Sequence, residues 1–208
     1  MARTLSISTM YSKKFTTIEL DGIFAEVFGK PEDAGAWLIW GAEKNGKTWF
    51  ALKLAAALSL TKRTLYISGE EGLGKDFVEA CKRAKLSTDN RNLQFSEYID
   101  YAELQNKLSK RRSPEVIFID NVTVYKDDLA YGNLRKLFKE YPNKLFIFLA
   151  HEDRNEPYTS TAKLIKKLAK VIVYIVGLQA NISGRVPGGN IIIDEEKAQL
   201  FHSTLIKE

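Results

Sequence analysis

Short apolar runs alternate with segments whose apolar residues recur at helical spacing. The runs at 36–40, 64–68, 115–120, 144–150 and 171–176 are mostly apolar and too short for helices. All five read as strands, and those at 36–40, 115–120 and 144–150 have the pattern of strands buried on both faces. Residues 93–98 form a weaker candidate strand. Helices are expected over 47–60, 75–85, 101–110, 129–140 and 161–169, where apolar positions three and four apart make one face. Strands alternating with helices predict an α/β domain with a mostly parallel sheet. In such sheets the crossovers leave ligand sites at the carboxyl ends of the strands. Ahead of this pattern, 15–20 has strand character, 23–28 reads as a short helix and 29–35, with Pro31, as a turn. Residues 1–14, rich in Ser and Thr, read as a loose arm or an edge strand. Two short strands, 190–194 and 198–202, are expected to close the chain as a hairpin.

Composition narrows the class. The 208 residues suffice for one domain with a substantial core, and 45% apolar with 27% charged residues is globular composition. No run approaches the ~20 apolar residues of a spanning helix, so no membrane partner is expected. The single cysteine, Cys81, excludes an intrachain disulfide framework. With no apolar leader at the N-terminus, a cytoplasmic location is expected. A net charge of +5 is compatible with a polyanionic partner but does not specify one.

The chemistry starts after the first buried run. Gly41-Ala42-Glu43-Lys44-Asn45-Gly46-Lys47-Thr48 matches G-x-x-x-x-G-K-[ST] between a strand and a helix, the context that the motif requires. Its glycines let the backbone wrap a phosphate, and the helix N-terminus adds positive potential. Lys47 is expected to reach the β- and γ-phosphates and Thr48 to hold Mg²⁺, with Trp49 bordering the loop. The run ending in Asp120 supplies a carboxylate that can orient Mg²⁺ through its water shell. Taken alone, an Asp at a strand end is as often a turn residue.

These two motifs together resemble the RecA-like group of P-loop ATPases, which includes recombinases, hexameric replicative helicases and small phage and plasmid ATPases. The resemblance covers about 37–202. Gly29-Lys30-Pro31-Glu32, Trp37-Leu-Ile-Trp-Gly41, Ser68-Gly-Glu-Glu-Gly72 and Gly188-Gly189 make the chain look most like compact phage or mobile-element members. It implies a three-layer P-loop fold with a mostly parallel RecA-like sheet and a C-terminal β-hairpin. The domain layout is then an arm and lead-in over 1–35 and an ATPase domain over 36–208. It also implies a catalytic glutamate after the second strand, which falls on Glu70, with Glu71 as its neighbour. A polar residue sensing the γ-phosphate falls on His151; the plain alternative is a histidine capping a strand end. His151-Glu152 is not a zinc-binding H-E-x-x-H pair, because Asn155 stands at the second histidine position. A cationic finger toward the neighbouring subunit falls on Arg185, with Ser183 in place of the family's lysine.

The group implies ATP and ADP as ligands, Mg²⁺ as cofactor, a homo-oligomeric ring or filament, and single-stranded DNA met by the loops near 121–130 and 152–161. Neither loop is rich in Lys or Arg. Lys163, Lys166, Lys167 and Lys170 share one helix face, which suits either a phosphate track or a solvated surface. Lys107, Lys110, Arg111 and Arg112 have the same ambiguity. Phe15-Thr-Thr-Ile18 resembles the linker by which recombinases dock on a neighbour, with Ile18 where a small residue is usual. The leading reading is Mg-dependent ATP hydrolysis coupled to DNA recombination, repair or replication. The alternative is a nucleotide-gated oligomeric module with little turnover that recruits a DNA-processing partner. A small-molecule kinase ranks lower, because the late segment holds a single Arg instead of an arginine-rich lid.

Overall fold

The computed structural model describes residues 4–196 together with 198 and 199. In chain order the elements are α1 (Ile7–Tyr11), α2 (Gly22–Phe28), β1 (Gly35–Gly41), α3 (Lys47–Leu58), β2 (Thr64–Ser68), α4 (Lys75–Arg83), β3 (Leu93–Glu97), α5 (Tyr101–Ser109) and β4 (Val116–Asp120). They continue with α6 (Asn133–Glu140), β5 (Leu145–Asp153), β6 (Glu156–Pro157), α7 (Ser160–Leu168), β7 (Val171–Val176), β8 (Gln179–Gly184) and β9 (Gly189–Ile192). One sheet runs in the order β3-β2-β4-β5-β1-β7-β8-β9, with β6 paired to β5. It is parallel from β3 through β7 and antiparallel across β7, β8 and β9.

Period-two alternation divides the core into two layers. On β1, Trp37 and Ile39 pack with Phe50 and Leu54 of α3, Phe77 of α4 and Phe28 of α2. Leu38 and Trp40 face the other way, in a cluster with Leu104 of α5, Leu137 of α6 and Ile165 of α7. A strand covered on both faces has no polar side to show, which is why these strands read as continuous apolar runs. Trp37 and Trp40 are thus core residues, the first stacked on Phe28 and the second against Tyr174. Helix starts follow local chemistry. Asp100 caps α5 by accepting from the Glu103 N–H, and Thr159 caps α7 by accepting from the Ala162 N–H.

The structure departs from the sequence expectations at several places. The late hairpin is β8 with β9, so the first of the two expected strands is its second strand. Residues 198 and 199 are helical rather than extended, and 200–202 lie outside the described residues. Segment 15–20 is not a strand; it makes one isolated bridge, Thr17 with Glu32. Ile18 is buried in this chain's own core, while Phe15 is exposed. The N-terminal arm carries the short helix α1, none of whose residues is buried. Helix α6 starts at Asn133 rather than 129, because Tyr131 and Gly132 take positive φ and break the helical path. Strand β5 runs on through Asp153 and turns back as β6 over Arg154 and Asn155, both at positive φ, the geometry of a type I′ hairpin.

Candidate functional site

The ends of four adjacent strands converge on one edge. In the order β2, β4, β5, β1 they present Glu70, Asp120, His151 and the phosphate loop. Strand β5 lies between β1 and β4, with Gly41 in register with His151 and Ser68 with Asp120. Above these ends opens a cavity of about 560 Å³. Glu43, Lys44, Gly46, Lys47, Thr48 and Trp49 line it from the loop, Glu70, Glu71, Asp120 and His151 from the strand ends, and Asp76, Ala80 and Arg83 from α4.

The loop is held in shape by its surroundings. A Cβ on Gly41 would lie 2.2 Å from the Ile175 carbonyl oxygen, so β1 can pass β7 this closely only with glycine there. Asn45 points away from the cavity: its Oδ1 accepts from the Gly177 N–H at 2.9 Å and pins the loop to the β7–β8 turn. Gly41, Ala42 and Asn45, also expected among the nucleotide-binding residues, are not among those that line the cavity; they shape the loop from behind it. The Ala42 carbonyl accepts from the Lys47 ammonium at 2.7 Å. Lys47 is buried, and burial lowers its pKa; the carboxylates of Asp120, Glu43, Glu70 and Glu152 oppose that shift. The Trp49 ring lies under two cations, Lys53 at 5.2 Å and the Arg83 guanidinium at 5.7 Å from its centroid.

Thr48 Oγ1 donates to Asp120 Oδ2 at 3.4 Å, which joins the loop to the acidic strand. Tyr66 OH donates to the same oxygen at 2.6 Å from the neighbouring strand. Burial pushes the Asp120 pKa up to about 6; the Tyr66 hydrogen bond works against that rise, and the charges of Glu71 and Glu70 add to it. The hydroxyl of Thr48 and the carboxylate of Asp120 are hard oxygen donors suited to Mg²⁺. Among the described residues no cluster of three or more His, Cys, Asp or Glu could hold a metal unaided. A Mg²⁺ here would complete its shell with water and ligand phosphate oxygens, its usual preference.

Glu70 leaves the end of β2 and meets Asn121 and His151. Glu71 also lines the cavity, but it is Glu70 that the strand ends gather. Arg185 stands apart. It follows β8 at the far end of the sheet, where its N–H bonds Lys170 O and Lys170 N–H bonds Ala36 O. From the level of Ala36 to Gly41 is five residues along β1, roughly 16 Å at ~3.3 Å per residue. Arg185 cannot reach the cavity of its own chain. The lysine face of α7 is also partly consumed: Lys166 lies 4.3 Å over the Trp40 ring and pairs with Glu156, and Lys170 pairs with Glu32. Lys110, Arg111 and Arg112 precede β4, on the edge opposite the cavity.

Tyr66, Asn121 and the α4 residues Asp76, Ala80 and Arg83 were not legible as site residues. Tyr66 reads as one more apolar strand position, and Asn121 as the first residue of a loop. Only the register of β2 against β4 brings the Tyr66 hydroxyl to Asp120.

The fold and site together define a three-layer α/β protein with a phosphate loop, a mostly parallel RecA-like sheet and an antiparallel hairpin at its late edge. Among solved structures the chain is similar to the flagellar accessory protein FlaH from Methanocaldococcus jannaschii, at 17% identity and a TM-score of 0.62, over 86% of this chain and 93% of that one. At this identity the likeness is one of fold. No family model and no curated protein matches the sequence. Among the described residues no helix is long and apolar enough to cross a membrane.

Proposed function

We propose that this protein binds Mg·ATP and hydrolyses it to ADP and phosphate. The reading rests on one observation: the phosphate loop, the Thr48–Asp120 contact and the Glu70 carboxylate converge on a single cavity. The loop N–H groups and Lys47 would hold the β- and γ-phosphates, with Lys47 compensating charge that develops on transfer. Thr48 and Asp120 would hold Mg²⁺, which when bound neutralises phosphate charge. Glu70 would orient the attacking water and take its proton, and His151 would face the γ-phosphate.

The wider reading is an oligomeric ATPase serving DNA recombination, repair or replication, as the RecA-like resemblance implies. The position of Arg185 favours action on the nucleotide of a neighbouring copy. Exposed aromatics near the carboxyl edge, Tyr131 and Tyr158, favour stacking on single-stranded bases. The domain layout, arm and lead-in over 1–35 and ATPase over 36–208, belongs to the same proposal, as does a cytoplasmic location.

Two variants test the core of it. Lys47→Ala should weaken ATP binding at least ~10-fold. Glu70→Gln should keep binding and lose roughly 10²-fold or more in phosphate release, the usual weight of a general base. Glu70→Gln turning over at the wild-type rate would remove Glu70 from the mechanism. ATP bound tightly by wild type without turnover would favour the nucleotide-gated module.

A further inference from the structure

Asn121 directly follows the acidic strand, and its side chain is 1% exposed. The orientation of its amide is fixed by a backbone donor: the Thr123 N–H gives to Oδ1 at 2.8 Å. An N–H needs an acceptor, so the oxygen faces the loop and the –NH₂ group faces Glu70 and His151. There Nδ2 donates to Glu70 Oε2 and lies 2.8 Å from His151 Nε2. His151 Nε2 is in turn 3.0 Å from Glu70 Oε2 and 3.3 Å from Oε1.

These three groups compete for one meeting point. If Nε2 carries a lone pair, it accepts from Asn121 but faces the Glu70 oxygens lone pair to lone pair. If Nε2 carries a proton, it donates to Glu70 but faces the Asn121 –NH₂ hydrogens. Among the described residues, buried His151 Nδ1 has no hydrogen-bond partner, so none of them selects the form from the far side of the ring. Only Asn121, anchored through Thr123, has a fixed polarity. The Glu70 side chain is half exposed, at 48%, and among the described residues its hydrogen-bond partners are Asn121 and His151.

We propose that Asn121 is the positioning residue for Glu70: its amide, oriented by the Thr123 backbone, ties the carboxylate to the ends of β4 and β5 beside the phosphate loop. This deepens the hydrolase reading and rests on it for its consequence in turnover. The contact itself does not. Because the anchor is the backbone of the segment after β4, a ligand that moves that segment also moves Glu70. Asn121 touches no reacting atom in this scheme; it acts through Glu70.

A double-mutant cycle separates this from a merely structural role. Asn121→Ala should lower kcat roughly 10-fold or more while the Kd for ATP changes less than ~3-fold, a loss confined to the transition state. Asn121→Asp, close in shape but with an acceptor aimed at Glu70, should be worse than Ala. In a Glu70→Gln background Asn121→Ala should add almost nothing. Full additivity of the two losses, or Asp performing as well as Asn, would overturn the proposal. A second readout needs no turnover. In the ¹⁵N-labelled nucleotide-free protein, the Asn121 side-chain –NH₂ resonances should shift on Glu70→Gln. If they do not move, the contact is absent and the proposal falls. If they move and wild type still fails to hydrolyse ATP, the positioning contact stands and the hydrolase reading falls.

Discussion

At Asp120 a carboxylate sits at a largely enclosed strand end, and burial lifts its pKa from the ordinary carboxylate range to about 6. An acid with a raised folded-state pKa is disfavoured in its ionised form. Stability therefore falls as pH rises from about 4 to about 6 and stays lower above that range. The shift corresponds to a cost on the order of 2–3 kcal/mol at neutral pH. Asn at this position can still accept from Tyr66 and Thr48 without carrying charge. In EDTA, without nucleotide, Asp120→Asn should be more stable than wild type at pH 8 by that order. The difference should shrink to nothing near pH 4. Chemical denaturation across pH measures it, and a variant less stable at every pH would refute the argument.

Among the elements, the passage from β1 into the phosphate loop is the most constrained. Gly41 has φ +156° and meets the Ile175 carbonyl of β7 with no room for a side chain. A backbone carbonyl in a fully paired strand cannot swing aside as a flexible side chain can. Gly41→Ala should cost about 3 kcal/mol or more. For a chain of this size that is a fall in Tm of roughly 6–12 °C, read by calorimetry. A change under ~2 °C would mean that β1 and β7 separate more readily than the sheet register suggests. Gly46, by contrast, meets the end of the Leu178 side chain, which has freedom to move.

On the scale of the whole molecule, the sheet sets the cavity and Arg185 at opposite ends. If Arg185 serves a neighbour's nucleotide, the copies must assemble head to tail, a heterologous contact that closes as a ring or continues as a filament. Arg185→Ala should then lose the part of the activity that rises with protein concentration, on the order of 10³-fold where the finger is engaged. Mixing it with Lys47→Ala should restore hydrolysis, because one variant keeps the phosphate loop and the other the arginine. Two inactive variants that stay inactive when mixed would rule out the shared site.

The sequence by itself determined what is local or periodic. Three buried strands announced themselves as apolar runs, because strands covered on both faces have few polar positions, and 64–68 and 171–176 could be read as further strands. The phosphate loop announced itself because tight backbone wrapping demands glycines at fixed spacing, next to a lysine and a hydroxyl. Asp120 could be marked because it ends such a strand, and Glu70 because the resemblance to RecA-like ATPases implies a carboxylate just after the second one. What pairs with what was decided only by tertiary structure. The insertion of β5 between β1 and β4 brings His151 between the loop and the acidic strand. Register alone delivers the Tyr66 hydroxyl to Asp120, and the Thr123 backbone turns the Asn121 amide toward Glu70. The late hairpin lay one strand earlier than its apolar pattern suggested, because β8 is half polar and gains its place from pairing with β7 and β9. Apart from the local Thr123–Asn121 turn, such contacts join residues dozens of positions apart, and no spacing along the chain encodes them.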